Sequence, residues 1–126
     1  SMRKVTDMQK KKTGKLFEFC CLAPAIIAGK NNKIKNDMSS IGEELGFLFQ
    51  IADDLLDLKG KRGRVGKPVK KDKRKGKSNI VSLLGYEKTL QFAFKRRKMI
   101  IDKLKKYGSK SKDFIKTVNF ILDRSY

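Results

Sequence analysis

Three carboxylates, Asp53, Asp54 and Asp57, stand together in FQIADDLLD (49–57), inside an otherwise apolar run of a chain whose formal charge is +19. On a helix, residues four apart share a face, so Asp53 and Asp57 stack one turn apart while Asp54 projects about 100° round. Like charges at that spacing repel, and aspartate is a mediocre helix former. A divalent cation removes the conflict, because oxygen donors one turn apart can share a hard ion that keeps its own waters and takes further ligands from a phosphate. The plainer alternative is a solvated helix end whose acids meet neighbouring lysines. Two features weigh against it. The cluster is expected at the C-terminal end of its helix, where the dipole disfavours anions. The most basic stretch of the chain follows at once, with eleven Lys/Arg and one acid in residues 59–77. Acid beside base in this way suits a metal-bound diphosphate, neutralised by the ion on one side and by lysines on the other.

The basic stretch carries two Gly-Lys pairs, Gly66-Lys67 and Gly76-Lys77. Glycine lets backbone approach a phosphate and lysine supplies a mobile point charge. The GKS at 76–78 is not a nucleotide-binding P-loop, since the leading glycine of that pattern falls on Lys71 and no buried strand precedes it. Nucleic-acid binding is a weaker reading. Single-strand binders interleave aromatics with basic residues, residues 59–78 contain none, and the adjacent acids would repel a phosphate backbone. The absence of histidine excludes His-based acid/base chemistry and leaves only oxygen ligands, suited to magnesium or calcium.

Helices must position these groups. Apolar spacing over residues 5–29 (Leu16, Phe17, Cys20, Cys21, Ala23, Ala25, Ile27) predicts a helix with bends at Gly14 and Pro24 and a stop at Gly29. Residues 30–36 read as a polar loop. A second helix is expected from Asn36 or Asp37 to Leu58, with Ile41, Leu45, Leu48, Phe49, Ala52, Leu55 and Leu56 at threes and fours. Residues 59–78, with four glycines and a proline, read as a long loop. A short apolar helix over 79–84 ended by Gly85, an amphipathic helix over 86–107 and a last helix capped by Ser111 complete the chain. There is no strand-like alternation, internal repeat or heptad series. The fold class is therefore all-α, four to six mostly antiparallel helices with one long basic loop.

At 126 residues and 39% hydrophobic content the chain can build a core, and its lysines are spread too widely to imply a nucleic-acid partner by themselves. The apolar runs are broken by Pro24, Gly42, Gly46 and acids, so no membrane span is expected. Adjacent Cys20 and Cys21, with no other cysteine to pair with, predict reduced, buried thiols in a cytoplasmic protein. Ser1-Met2 reads as the remnant of a cleaved purification tag, leaving 3–126 as the domain sequence.

Taken in order, these pieces resemble the C-terminal half of a trans-prenyl diphosphate synthase, the family of farnesyl and geranylgeranyl diphosphate synthases. MQKKKTG (8–14) is similar to the family's Lys-Thr element. FQIADDLLD matches its second aspartate-rich motif, and GKPVKKDKRKGKSNIVSLLG (66–85) its Gly-Lys segment and following helix. NFILDRSY (119–126) resembles a native C-terminus of the family. The resemblance implies an enzyme that condenses isopentenyl diphosphate with an allylic diphosphate by magnesium-assisted ionisation, condensation and proton loss. By position, Asp53 would be the main ligand of the third of three magnesium ions, with Asp54 and Asp57 holding it and its waters. Lys12 and Lys67, joined by Lys77, would grip the departing diphosphate, and Thr13 and Gln50 would lie beside the developing cation. The family's habit implies a homodimer. The earlier aspartate-rich motif that binds the other two ions, and the upstream arginines, have no counterpart here, so at most one ion is supported and the chain alone is expected to be inactive. It is also expected to expose apolar helix faces. A terpene cyclase or squalene-type enzyme uses related chemistry, but its second metal motif differs from DDLLD followed by GKPV.

Overall fold

A computed structural model describes residues 1–63 and 79–126; for residues 9, 10, 12 and 61–63 it describes the backbone only. The described residues form six α-helices: α1 (Met2–Gln9), α2 (Lys15–Ile27), α3 (Asn32–Gly63), α4 (Ile80–Leu84), α5 (Tyr86–Lys105) and α6 (Lys112–Asp123). A π turn, Lys10–Gly14, joins α1 to α2, and a short 3₁₀ turn, Gly108–Ser111, precedes α6. No strand occurs among the described residues.

The axis of the fold is α3, packed against α2, α5, α6, α4 and the π turn. The apolar stripe expected along it is its buried face: Ile41, Leu45, Leu48, Ala52 and Leu55 are shut off from solvent, joined by Phe47 and Ile51, while Phe49 and Leu56 are half-buried. Cross-helix contacts show the directions. Tyr107 donates to Asp37 at 2.9 Å, Lys103 to Ser40 at 3.0 Å and Arg96 to Glu44 at 3.0 Å, so α5 descends as α3 rises. On the other flank Glu18 accepts from Ser39 at 2.8 Å and Gln50 donates to Thr13, again antiparallel. Burial and the Asp37 hydrogen bond together hold the Tyr107 phenol above its ordinary range.

The contact between α2 and α3 is set by two glycines. A Cβ on Gly42 would stand 2.6 Å from the Phe17 carbonyl oxygen and 2.7 Å from the Glu18 Cα; one on Gly46 would stand 2.8 Å from the Gly14 Cα. Backbone therefore touches backbone along this seam, which only a residue without a side chain permits.

Several boundaries differ from the sequence reading. The polar loop over 30–36 shrinks to a tight turn: Gly29 takes φ 63° to end the preceding helix, and the Asn31 side chain accepts from the Ile34 N–H at 3.0 Å, so α3 starts at Asn32. At its other end α3 continues to Gly63, five residues beyond Leu58. The helix α2 passes through Pro24. Gly85 closes α4 at φ 79°, as expected, after a reciprocal cap between Asn79 and Ser82. Ser111 precedes α6 without capping it; its hydroxyl donates to the Gly108 carbonyl instead.

The thiols are free, as expected, but not buried together: Cys20 is exposed and Cys21 half-buried. Desolvation, helped by the neighbouring Cys20, pushes the Cys21 thiol up to about 11. The same side of α2 exposes Leu16, Phe19, Ile26 and Ile27, the last 86% accessible. Among the described residues no helix is long and apolar enough to cross a membrane.

Two outcomes follow. Gly42→Ala should lower the unfolding free energy by about 1–3 kcal/mol in urea titration, because backbone on the facing helix cannot yield as a side chain would. Alkylation at pH 8 followed by peptide mass spectrometry should mark Cys20 well before Cys21, whose thiolate fraction is then roughly one part in a thousand.

Candidate active site

The π turn supplies one edge of the site. Its closeness to α3, set by the missing Cβ of Gly46 against Gly14, brings Thr13 to Gln50, and the Gln50 amide donates to the Thr13 hydroxyl. Such π insertions in helices recur at functional sites because they re-aim side chains. The predicted pair Thr13 and Gln50, 37 residues apart in sequence, is thus brought together. Lys12 immediately precedes Thr13 in the same π turn; its side chain, and Lys67 and Lys77 entirely, lie outside the described residues.

One turn along α3 from Gln50 come the aspartates. Asp53 and Asp54 are half-buried and Asp57 exposed. They are not at the helix end: Asp57 is followed by six further helical residues, so the dipole penalty expected from a terminal position is much reduced. Among the described residues no three acidic or thiol side chains converge on one point. Asp53 and Asp57 do stack one turn apart, a donor set of hard oxygens matching an ion that uses one or two carboxylates plus waters and phosphate. The residues fit magnesium in that limited sense: they offer a partial site that needs oxygens from elsewhere.

The residue that sequence reasoning missed is Arg124. Its Nη2 donates to Asp53 Oδ1 at 2.8 Å, Nε donates to the Ile121 carbonyl at 3.1 Å, and the guanidinium carbon lies 4.8 Å from the centre of the Phe49 ring. Phe49 in turn tilts against Phe17 at 5.2 Å, so the same aromatic pair links α2, α3 and the C-terminus. The only signal in the sequence was a cation in the terminal DRSY, with nothing to say which of many acids it would meet.

The described residues are thus an all-α bundle whose central helix carries carboxylates one turn apart, flanked by a π turn bearing Lys-Thr. The Polyprenyl synthetase family model matches residues 1–120, and the chain belongs to that family. Geranylgeranyl diphosphate synthase of Sulfolobus acidocaldarius is 40% identical over 105 residues, covering 83% of this chain and 30% of that protein. Farnesyl diphosphate synthase of Micrococcus luteus is 32% identical over 114 residues, covering 90% of this chain and 39% of that one. The chain spans about a third of the length of the curated relatives it matches. A crystal structure of a geranyltransferase from Helicobacter pylori 26695 aligns with TM-score 0.71 over 98% of this chain and 39% of that chain, at 19% identity, a likeness of fold.

The Gln50 to Thr13 bond is checked by a double-mutant cycle. Thr13→Val and Gln50→Leu should show a coupling of about 0.5–1.5 kcal/mol in urea unfolding; additive losses would mean that the two side chains do not meet in solution.

Proposed function

We propose that this chain is the C-terminal part of a prenyltransferase that condenses isopentenyl diphosphate with an allylic diphosphate, and that it contributes one magnesium position and part of the diphosphate grip. The single observation that supports this reading most is the arrangement along α3, with Gln50 tied to Thr13 of the π turn and Asp53 and Asp57 following on the next two turns.

In this reading Asp53, with Asp57 one turn on, holds magnesium, and Asp54 steadies it through its waters. Bound magnesium would supply positive charge where the leaving diphosphate gathers negative charge. Lys12, Lys67 and Lys77 bring counter-charge to the same diphosphate as mobile ammonium groups. The Thr13 and Gln50 oxygens, held by their mutual hydrogen bond, turn fixed dipoles toward the carbon that becomes cationic. Because these dipoles are oriented before the reaction, they stabilise the charge-separated state more than the bound substrate, which is the condition for a faster step.

The first aspartate-rich motif and the arginines for isopentenyl diphosphate belong to parts of the synthase outside this sequence, and the exposed Leu16, Phe19, Ile26 and Ile27 mark a face that further protein covers. The parent enzyme is a cytoplasmic homodimer in this proposal. Assayed as the 126-residue chain, the protein should give no condensation product, yet magnesium together with inorganic pyrophosphate should raise its melting temperature by a few degrees. Asp53→Asn should abolish that rise. Salt-sensitive binding of random RNA, unaltered by Asp53→Asn and without any pyrophosphate effect, would replace this reading with a basic nucleic-acid-binding module.

A further inference from the structure

The last four residues are not a loose end. Ser125 is fully buried, its hydroxyl donating to the Leu122 carbonyl at 2.6 Å. The Tyr126 ring meets Phe94 edge-on at 5.3 Å and its hydroxyl donates to Asp123 at 2.9 Å, the same carboxylate that receives Arg97 at 2.6 Å. Arg124 lies between these anchors. Three contacts fix its guanidinium: the Ile121 carbonyl, the Phe49 ring and one oxygen of Asp53. Phe49 and Asp53 are four residues apart, so Arg124 straddles one turn of α3. Its side chain is 27% exposed and that of Asp53 43%, so the pair is partly withdrawn from water while the carboxylate still faces solvent.

An arginine held this way stays charged at any working pH and cannot swing aside as freely as a surface lysine. Its order is set before any ion arrives, and its positive charge lies within hydrogen-bond distance of the carboxylate proposed to bind metal. A dication sharing that carboxylate is repelled by the guanidinium, whereas a dication bearing a diphosphate is not, since the added negative charge satisfies both cations. Outer partners of a ligating carboxylate also fix its plane.

We propose that Arg124 is a positioning residue for Asp53, a tethered cation that makes magnesium binding there conditional on an accompanying diphosphate; this rests on the reading of Asp53 as a magnesium ligand. The consequence is a site that discriminates against free magnesium and favours the ion in the company of a substrate-like polyanion. The C-terminus, remote in sequence from the acidic cluster, sets that preference.

Calorimetric titration of the 126-residue chain with magnesium chloride, and separately with preformed magnesium pyrophosphate, tests it. The wild-type chain should bind magnesium pyrophosphate more tightly than magnesium alone. Arg124→Gln should bind magnesium alone about tenfold more tightly, narrowing that preference by a similar factor, while Arg124→Lys, which keeps the charge, should stay near wild type. A purely structural role would lower the melting temperature of both variants and leave the magnesium affinities and their ratio unchanged, which would overturn the proposal, as would weaker magnesium binding by Arg124→Gln. Failure of the underlying site reading looks different: either Asp53→Asn binds both titrants as wild type does, or no chain binds either titrant, and the proposal falls with it.

Discussion

Close approach of α2 and the π turn to α3 is the constraint on which the rest depends. At Gly42 and Gly46 the facing backbones come within distances that any Cβ would violate. Because the two contacts lie one turn apart on α3, they fix both the separation of the helices and their axial register. That register decides which residue of the π turn meets which residue of α3, and so places Thr13 at Gln50. With the α2 side of α3 settled, its apolar stripe can close against α4, α5 and α6, where Ile80, Ile100, Leu104, Val118 and Leu122 complete a contiguous core. Close-packed interiors are barely compressible and transmit strain, so an error at the seam would misplace the site rather than be absorbed.

Charge is handled by a second, repeated device. In a chain of +19, several arginines are held against both an acid and a ring. Arg96 pairs with Glu44 while lying 5.6 Å from the Phe47 ring centre and 5.1 Å from that of Phe92. Arg97 pairs with Asp123 over Phe94, and Arg124 with Asp53 over Phe49. The planar guanidinium satisfies a carboxylate at its edge and an aromatic at its face, which a lysine cannot do together. These three pairs join α3 and α5, α5 and α6, and α6 and α3, so they brace the triangle of helices behind the acidic turn. Individually each is partly exposed and worth little; their geometry matters more than their energy.

The family to which the chain belongs gives this arrangement its meaning. The acidic turn sits in the last third of α3, six residues short of its end, with Asp53 and Asp54 half-buried and Asp57 exposed. A helix so firmly packed is a rigid support for the carboxylates proposed to bind magnesium. The thiols lie further down the bundle: Cys21 packs near Gly42, eleven residues before Asp53, and burial raises its pKa, while Cys20 is exposed.

Read alone, the sequence determined the all-α class, the buried stripe of α3 from Ile41 to Leu55, the short helix between Asn79 and Gly85, and the acidic turn. These are local signals: periodicity and a glycine free to take positive φ. Element ends were less legible. The side chain of Asn31 started α3 four or five residues early, and a lysine- and glycine-bearing segment that lacks apolar spacing still continued the helix to Gly63. What only the tertiary structure decided are the pairings across distance, Thr13 with Gln50, Glu44 with Arg96 and Asp53 with Arg124, separated by 37, 52 and 71 residues. No period in the chain encodes them, since a helix pattern specifies which face is apolar but not which neighbour it meets. That choice was made where two glycines allowed two backbones to touch.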